Sequence, residues 1–193
     1  MTITENRPAA SEAARRAMID SQLRTSGVNE PWVLAAMNRV AREDFVPGAM
    51  RAAAYTDRAV PLGNGRFLAA PLVYGRLLAE AAPAADDKAL LVGDGQGYLA
   101  ALLRPLVGSL DAVDPAAAKD FAGNGTYSLV VVDGAIEELP AALAAALAEG
   151  GRIVTGLVAR GVTRLAAGTR AAGEVALLPL AELGIPVLPE FAA

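Results

Sequence analysis

Apolar positions recur at helical spacing near the start of the chain and change to short unbroken runs after residue 88. Between 11 and 26, Ala14, Met18, Ile19, Gln22 and Leu23 share roughly one face, which predicts a helix with Ser11 as N-cap and Gly27 as stop. Val33, Leu34, Met37 and Val40 predict a second helix at about 30–40, with Asn29 as a cap and Pro31 in the first turn. The stretch REDFVPGAMRAAAYTDRAVPLGNGRFLAAP is irregular and rich in Gly and Pro. It reads as an ordered loop, because Phe45, Val46, Tyr55, Val60, Leu62 and Phe67 need burial.

Pro71 opens a helix to about Ala81. KALLVG then reads as a short buried strand, and Gly93 to Gly97 turn the chain into a helix at about 98–106. SLDAV is a second strand ending at Asp114, and YSLVVVDG (127–134) is a third. A helix at about 138–148 and a strand GGRIVTGLV follow, then two strands around a glycine turn and a proline-punctuated tail. Strands alternating with helices predict an α/β fold: a mostly parallel sheet with helices on both faces, and an antiparallel strand pair at the C-terminal end. The organisation expected is one domain over 1–193, with 1–10 disordered, 11–70 as N-terminal helices and loop, and 71–193 as the core.

Composition narrows the chemistry. The net charge of −4 disfavours nonspecific nucleic-acid binding, which needs a concentrated positive field. No cysteine and no histidine are present, so disulfides, thiolate metal sites and an imidazole base are excluded. No apolar run reaches about 18 residues and no signal-peptide core is seen, so no membrane span is expected and the cytoplasm is the expected location.

Gly93, Gly95 and Gly97 follow a strand and open a helix, a G-x-G-x-G turn that lets a ligand approach the backbone. Asp114 closes the next strand, about twenty residues on, where an acidic side chain hydrogen-bonds a ribose diol. The competing reading is a tight strand–helix turn that uses glycine for packing. Asp94 inside the turn would repel a pyrophosphate, which argues against a dinucleotide. Asp133 closes the third strand and either faces a ligand in the crevice or caps the following segment. Arg15, Arg16 and Arg24 read as a solvated helix face, and Trp32 as a packing residue.

ARRAMIDSQLRTSGVNEPWVLAAMNRVAREDFVP (14–47) resembles the opening of protein-L-isoaspartate O-methyltransferases, and AYTDRAVPLGNGRFLAAP (54–71) resembles their substrate loop. VGDGQGYLAALL is similar to the family's first S-adenosylmethionine motif, with Tyr98 at a position where the family often has an aromatic residue. YSLVVVDGAIEELP and LAEGGRIVTGLV match later strand motifs in order. The resemblance implies a Rossmann-like methyltransferase fold. It also implies S-adenosylmethionine as cofactor and methylation of the α-carboxylate of L-isoaspartyl residues in damaged proteins. It assigns Gly93, Asp94, Gly95, Gly97, Tyr98, Asp114 and Asp133 to the cofactor, and Leu68, Ala69 and Ala70 to the substrate.

Two features depart from the family pattern. Ala69 stands where the family carries a serine that helps hold the isoaspartyl carboxylate. Only Pro115 to Thr126 separate Asp114 from the next strand, too few for a helix, a third strand and another helix. The third strand is therefore expected to be deleted, with its Gly-Asp-Gly motif and one wall of the adenine pocket. Two functions stay open: a carboxyl methyltransferase, or a silent relative that binds without turnover. A third, less favoured, is a reader of another nucleoside-containing molecule. The sheet edge bared by the deletion suggests a homodimer.

Overall fold

A computed structural model describes residues 7–192. The chain begins with α1 (Arg7–Met18), a wide π turn (Ile19–Leu23) and a 3-10 turn (Arg24–Ser26). Gly27 ends this run at φ 82, as its position predicts. Ser11 is not the cap: the helix starts at Arg7, so Arg7 to Ala10 are helical, and the disorder expected for 1–10 otherwise lies outside the described residues. The helix loses regularity because the Ser21 and Thr25 hydroxyls donate to the carbonyls of Ala17 and Ser21, offering those groups an alternative to the α-helical ladder. α2 (Pro31–Arg39) has Pro31 in its first turn, but its N-cap is Glu30 rather than Asn29.

The segment expected to be a loop contains two 3-10 turns and a hairpin, β1 (Val60–Gly63) and β2 (Arg66–Leu68). Asn64 and Gly65, at φ 51 and 73, form its tight turn. Positive φ at both central residues is what the Asn-Gly pair supplies. Then come α3 (Pro71–Ala81), β3 (Lys88–Val92), α4 (Tyr98–Leu103), β4 (Ser109–Val113), α5 (Pro115–Ala118) and β5 (Tyr127–Ile136). After these follow α6 (Ala141–Ala146), β6 (Leu147–Ala159), β7 (Val162–Ala171), β8 (Glu174–Val175) and β9 (Leu178–Glu182).

Seven strands form one sheet in the order β4-β3-β5-β6-β7-β8, with β9 also paired to β7. β4, β3, β5 and β6 are parallel, and β7 to β9 add antiparallel partners at the other side. The fold is α/β with a mostly parallel sheet. Among the described residues no strand lies outside β4, so it is an edge, which is where the short 115–126 connection puts the deletion. The strand alternation divides the core. Ala89, Leu91, Leu129, Val131 and Val154 pack with α2, α3, α4 and the hairpin, whereas Leu90, Val92, Val130, Val132 and Ile153 pack with α5, α6 and the C-terminal tail.

Two features shape the carboxyl end of this sheet. The hairpin stands at one side of it. From the other side the tail returns after β9, and Val187 bridges to Ala135 beyond the core of β5. Ala135 donates to the Pro186 carbonyl at 2.8 Å, and Leu188 donates back to the Ala135 carbonyl at 2.9 Å. Leu188 sits directly over Gly134, where any Cβ would lie 2.5 Å from Leu188 Cγ.

Candidate functional site

A cleft of about 320 Å³ opens at the carboxyl ends of β3, β4 and β5. Gly93, Asp94, Asp114, Pro115 and Asp133 form its floor, residues 62–67 of the hairpin form one wall, and Pro186 to Leu188 form another. Open parallel sheets place ligands at this end. The strand ends therefore bring together four of the seven residues expected to hold a cofactor: Gly93, Asp94, Asp114 and Asp133.

The glycine turn is held by its own hydrogen bonds. Gln96 N–H donates to Asp94 Oδ1 at 2.8 Å, Gly97 N–H donates to the Asp94 carbonyl at 2.9 Å, and Arg104 donates to the Gly95 carbonyl at 2.9 Å. The Gly93 N–H serves β4 through the Val113 carbonyl. The amides of Asp94 and Gly95 have no such partner among the described residues. Packing also requires these glycines: a Cβ on Gly95 would lie 2.9 Å from Ala112 Cβ, and one on Gly93 3.0 Å from Asp133 Cβ. The packing reading of the turn holds in this structure. Gly95 and Gly97 flank the cleft rather than line it.

Asp114 is the N-cap of α5. Its Oδ1 accepts the Ala116 N–H at 2.8 Å and lies 3.9 Å from Arg66 Nη2. The side chain is 69% exposed, and Oδ2 makes no hydrogen bond to a described residue, so one oxygen remains for a ligand diol. Asp133 does not cap a helix, because β5 continues past it to Ile136. Burial pushes its carboxyl up to about 6, against the Tyr74 hydroxyl and the Arg42 guanidinium, which pull it down.

Tyr98 is not in the cleft. It is 1% exposed and packs edge-on against Phe45 and Tyr74 under the Arg42 guanidinium, 5.2 Å from its ring centre. Its position on α4 points it into the first core layer, and an aromatic at that position serves packing here. Leu68 and Ala69 are likewise buried, and neither lines the cleft. Ala69 is instead clamped by its backbone. Its N–H donates to the Tyr74 hydroxyl at 3.3 Å, and its carbonyl accepts from Arg42 Nη2. Arg42 also donates through Nε to the Ala54 carbonyl at 2.6 Å. Ala70 is partly exposed at the start of α3. Arg15 is not a solvated residue either: it donates to the Tyr55 hydroxyl at 2.9 Å and to the Asn38 carbonyl at 2.9 Å.

Sequence reasoning missed Arg66, Glu190 and the tail. Arg66 Nη2 donates to Glu190 Oε1 at 2.7 Å, joining the hairpin to the tail across the cleft. The Asn64-Gly65 pair marks this hairpin in the sequence and was the available signal. Leu62, Phe67 and Val187 leave apolar surface exposed around the opening.

A mostly parallel α/β sheet with a glycine turn after β3 and an acidic residue closing β4 has the architecture of the Rossmann-like methyltransferase class. The model of the protein-L-isoaspartate(D-aspartate) O-methyltransferase family matches residues 13–114. A protein-L-isoaspartate O-methyltransferase 2 from Anaeromyxobacter sp. is 33% identical over 168 residues, 74% of this chain and 69% of that protein. A protein-L-isoaspartate O-methyltransferase from Methanoculleus marisnigri is 29% identical over 92% of both chains. A crystal structure of such a methyltransferase from Plasmodium falciparum, in complex with S-adenosyl-L-homocysteine, superposes with a TM-score of 0.72. It is 17% identical, over 93% of this chain and 98% of that one. The chain belongs to the protein-L-isoaspartate(D-aspartate) O-methyltransferase family.

Proposed function

We propose that the chain is an S-adenosylmethionine-dependent carboxyl methyltransferase acting on L-isoaspartyl residues of damaged proteins. The observation that carries this is the convergence of Gly93, Asp94, Asp114 and Asp133 on one cleft at the strand ends. The donor set fits S-adenosylmethionine. The free Asp114 oxygen suits a ribose diol, the Asp94 and Gly95 amides offer donors, and three aspartates suit a ligand carrying ammonium and sulfonium charge. When bound, this cofactor supplies an electrophilic methyl group on a sulfonium.

The chain itself supplies orientation. A carboxylate acceptor is already ionised near neutral pH, so no general base is needed, and a sequence without histidine suffices. Arg42 and Tyr74 fix the Ala69 peptide on either side, and so set the hairpin that walls the acceptor's side of the cleft. The exposed Leu62, Phe67 and Val187 suit the flanking residues of a peptide better than a small polar acceptor. Alignment of acceptor and donor is then the main contribution to rate.

Calorimetric titration with S-adenosylmethionine, followed by assay of ester formation on an isoaspartyl peptide, tests this. One site per chain and turnover are expected. Asp114→Asn keeps the helix cap and is expected to weaken the cofactor roughly tenfold with little change in stability. Absence of both heat and thermal shift at millimolar cofactor refutes the reading. Ala69 favours a second reading: with no hydroxyl there, binding without turnover identifies a silent relative. The bare β4 edge supports a homodimer in either case, and a monodisperse monomer at high concentration in light scattering counts against it. A cytoplasmic location belongs to the same reading and is tested by cell fractionation.

A further inference from the structure

The acceptor in this reaction is an anion, yet Asp94, Asp114 and Asp133 line the cleft that receives it. Among the described residues, one cationic side chain lines the cleft with them, Arg66. It opens β2, three residues before the buried Ala69 that replaces the family serine. We propose that Arg66 holds the α-carboxylate of the acceptor, supplying with a guanidinium the contact that Ala69 cannot make. The inference rests on the methyltransferase reading above.

Three observations support the assignment. A guanidinium offers five N–H donors in a planar fork matched to a carboxylate. Here only Nη2 is engaged, donating to Glu190 at 2.7 Å with Asp114 at 3.9 Å. Nε and Nη1 make no hydrogen bond to a described residue, and the side chain is 28% exposed. The fork is also held in place. Glu190 is set by the turn that buries Phe191, and its Oε1 accepts from Arg66 Nη2. Finally, the charges divide. Aspartates gather at the strand ends, where the cationic donor belongs, and the arginine stands on the hairpin wall, where the acceptor enters. Without Arg66 the charged side chains among the described lining residues would all be aspartates.

The test compares binding of a labelled isoaspartyl peptide with that of the same peptide carrying an α-carboxamide. Both are measured by fluorescence anisotropy with saturating S-adenosyl-L-homocysteine. The unsubstituted protein is expected to favour the carboxylate peptide roughly ten- to hundredfold. Arg66→Met is expected to bind both peptides as the unsubstituted protein binds the amide, and Arg66→Lys to recover part of the preference. Circular dichroism and titration with S-adenosyl-L-homocysteine confirm that each variant is folded. A carboxylate preference that survives at full strength in folded Arg66→Met overturns the assignment. If the unsubstituted protein binds S-adenosyl-L-homocysteine and both peptides without preference, Arg66 alone loses its role. If it binds neither S-adenosyl-L-homocysteine nor peptide, the methyltransferase reading falls and the assignment with it.

Discussion

Arg152→Met is expected to remove about 3 kcal/mol of stability by leaving a buried carboxylate without its cation. Asp87 is 5% exposed and lies at the foot of β3. Its oxygens accept from Arg152 Nη2 at 2.6 Å and Nη1 at 3.1 Å, from the Ser128 hydroxyl at 2.7 Å and from the Ala84 amide at 2.7 Å. Arg152 also donates to the last carbonyls of α3, Ala81 at 2.7 Å and Ala82 at 2.9 Å, so it ties α3, β3, β5 and β6 together. Breaking a buried pair costs about 3–5 kcal/mol. The lower end applies because Arg152 is 30% exposed and two neutral donors stay on Asp87. For a chain of this size that corresponds to a fall in melting temperature of roughly 6–12 °C.

The pH dependence gives a second check on the same variant. Burial alone would raise the Asp87 carboxyl, but the Arg152, Ser128 and Ala84 hydrogen bonds outweigh it and hold the group below its usual range. Its contribution is therefore present above the unfolded value of about 4 and is lost as pH falls through the folded one. The gap between unsubstituted protein and variant should be full at neutral pH and shrink on acidification below about pH 4. Urea unfolding followed by circular dichroism measures both. A variant within about 0.5 kcal/mol of the unsubstituted protein at pH 7 refutes the reasoning.

Two further outcomes follow from the cleft. Gly134→Ala puts a Cβ 2.5 Å from Leu188 Cγ at a backbone with φ +154. The expected result is a loss of about 3 kcal/mol and faster proteolysis at residues 186–189, and unchanged melting and digestion would contradict it. Burial favours the neutral form of Asp133 and pushes its carboxyl up to about 6. With a raised folded value, the folded state holds more protons than the unfolded one between about pH 4 and 6, so this group's effect on stability worsens as pH rises through that window. Affinity for the sulfonium cofactor should increase over the same rise, as the carboxylate ionises. S-adenosyl-L-homocysteine, which lacks the sulfonium charge, should respond less, and Asp133→Asn should flatten both. Parallel pH profiles for the two ligands would sink this account.

The sheet was legible because its signals are local. KALLV and YSLVVV are apolar runs bounded by turns, and the short interval from Asp114 to Tyr127 left no room for another strand, so β4 falls at the edge. Asp94, Asp114 and Asp133 could be placed in one cleft from the sequence because strand ends converge in this architecture whatever the details of packing. Tyr98 was misplaced because the spacing of α4 fixes the helix but not which face meets the ligand. Phe45, Tyr74 and Arg42 decide that, and they come from distant segments. The tail escaped for the same reason: its pairing with Ala135 depends on a partner far along the chain, and no periodicity marks it. Arg66 lies three residues before Ala69, but its setting appears only when Glu190 and Asp114 are seen around it.

The ion pair between Arg66 and Glu190 joins positions 124 apart along the chain. The hairpin and the tail are otherwise tied to different partners, the hairpin by its own strand pairing and the tail by its bonds to Ala135. A change in either wall is therefore transmitted to the other without disturbing the strands between them.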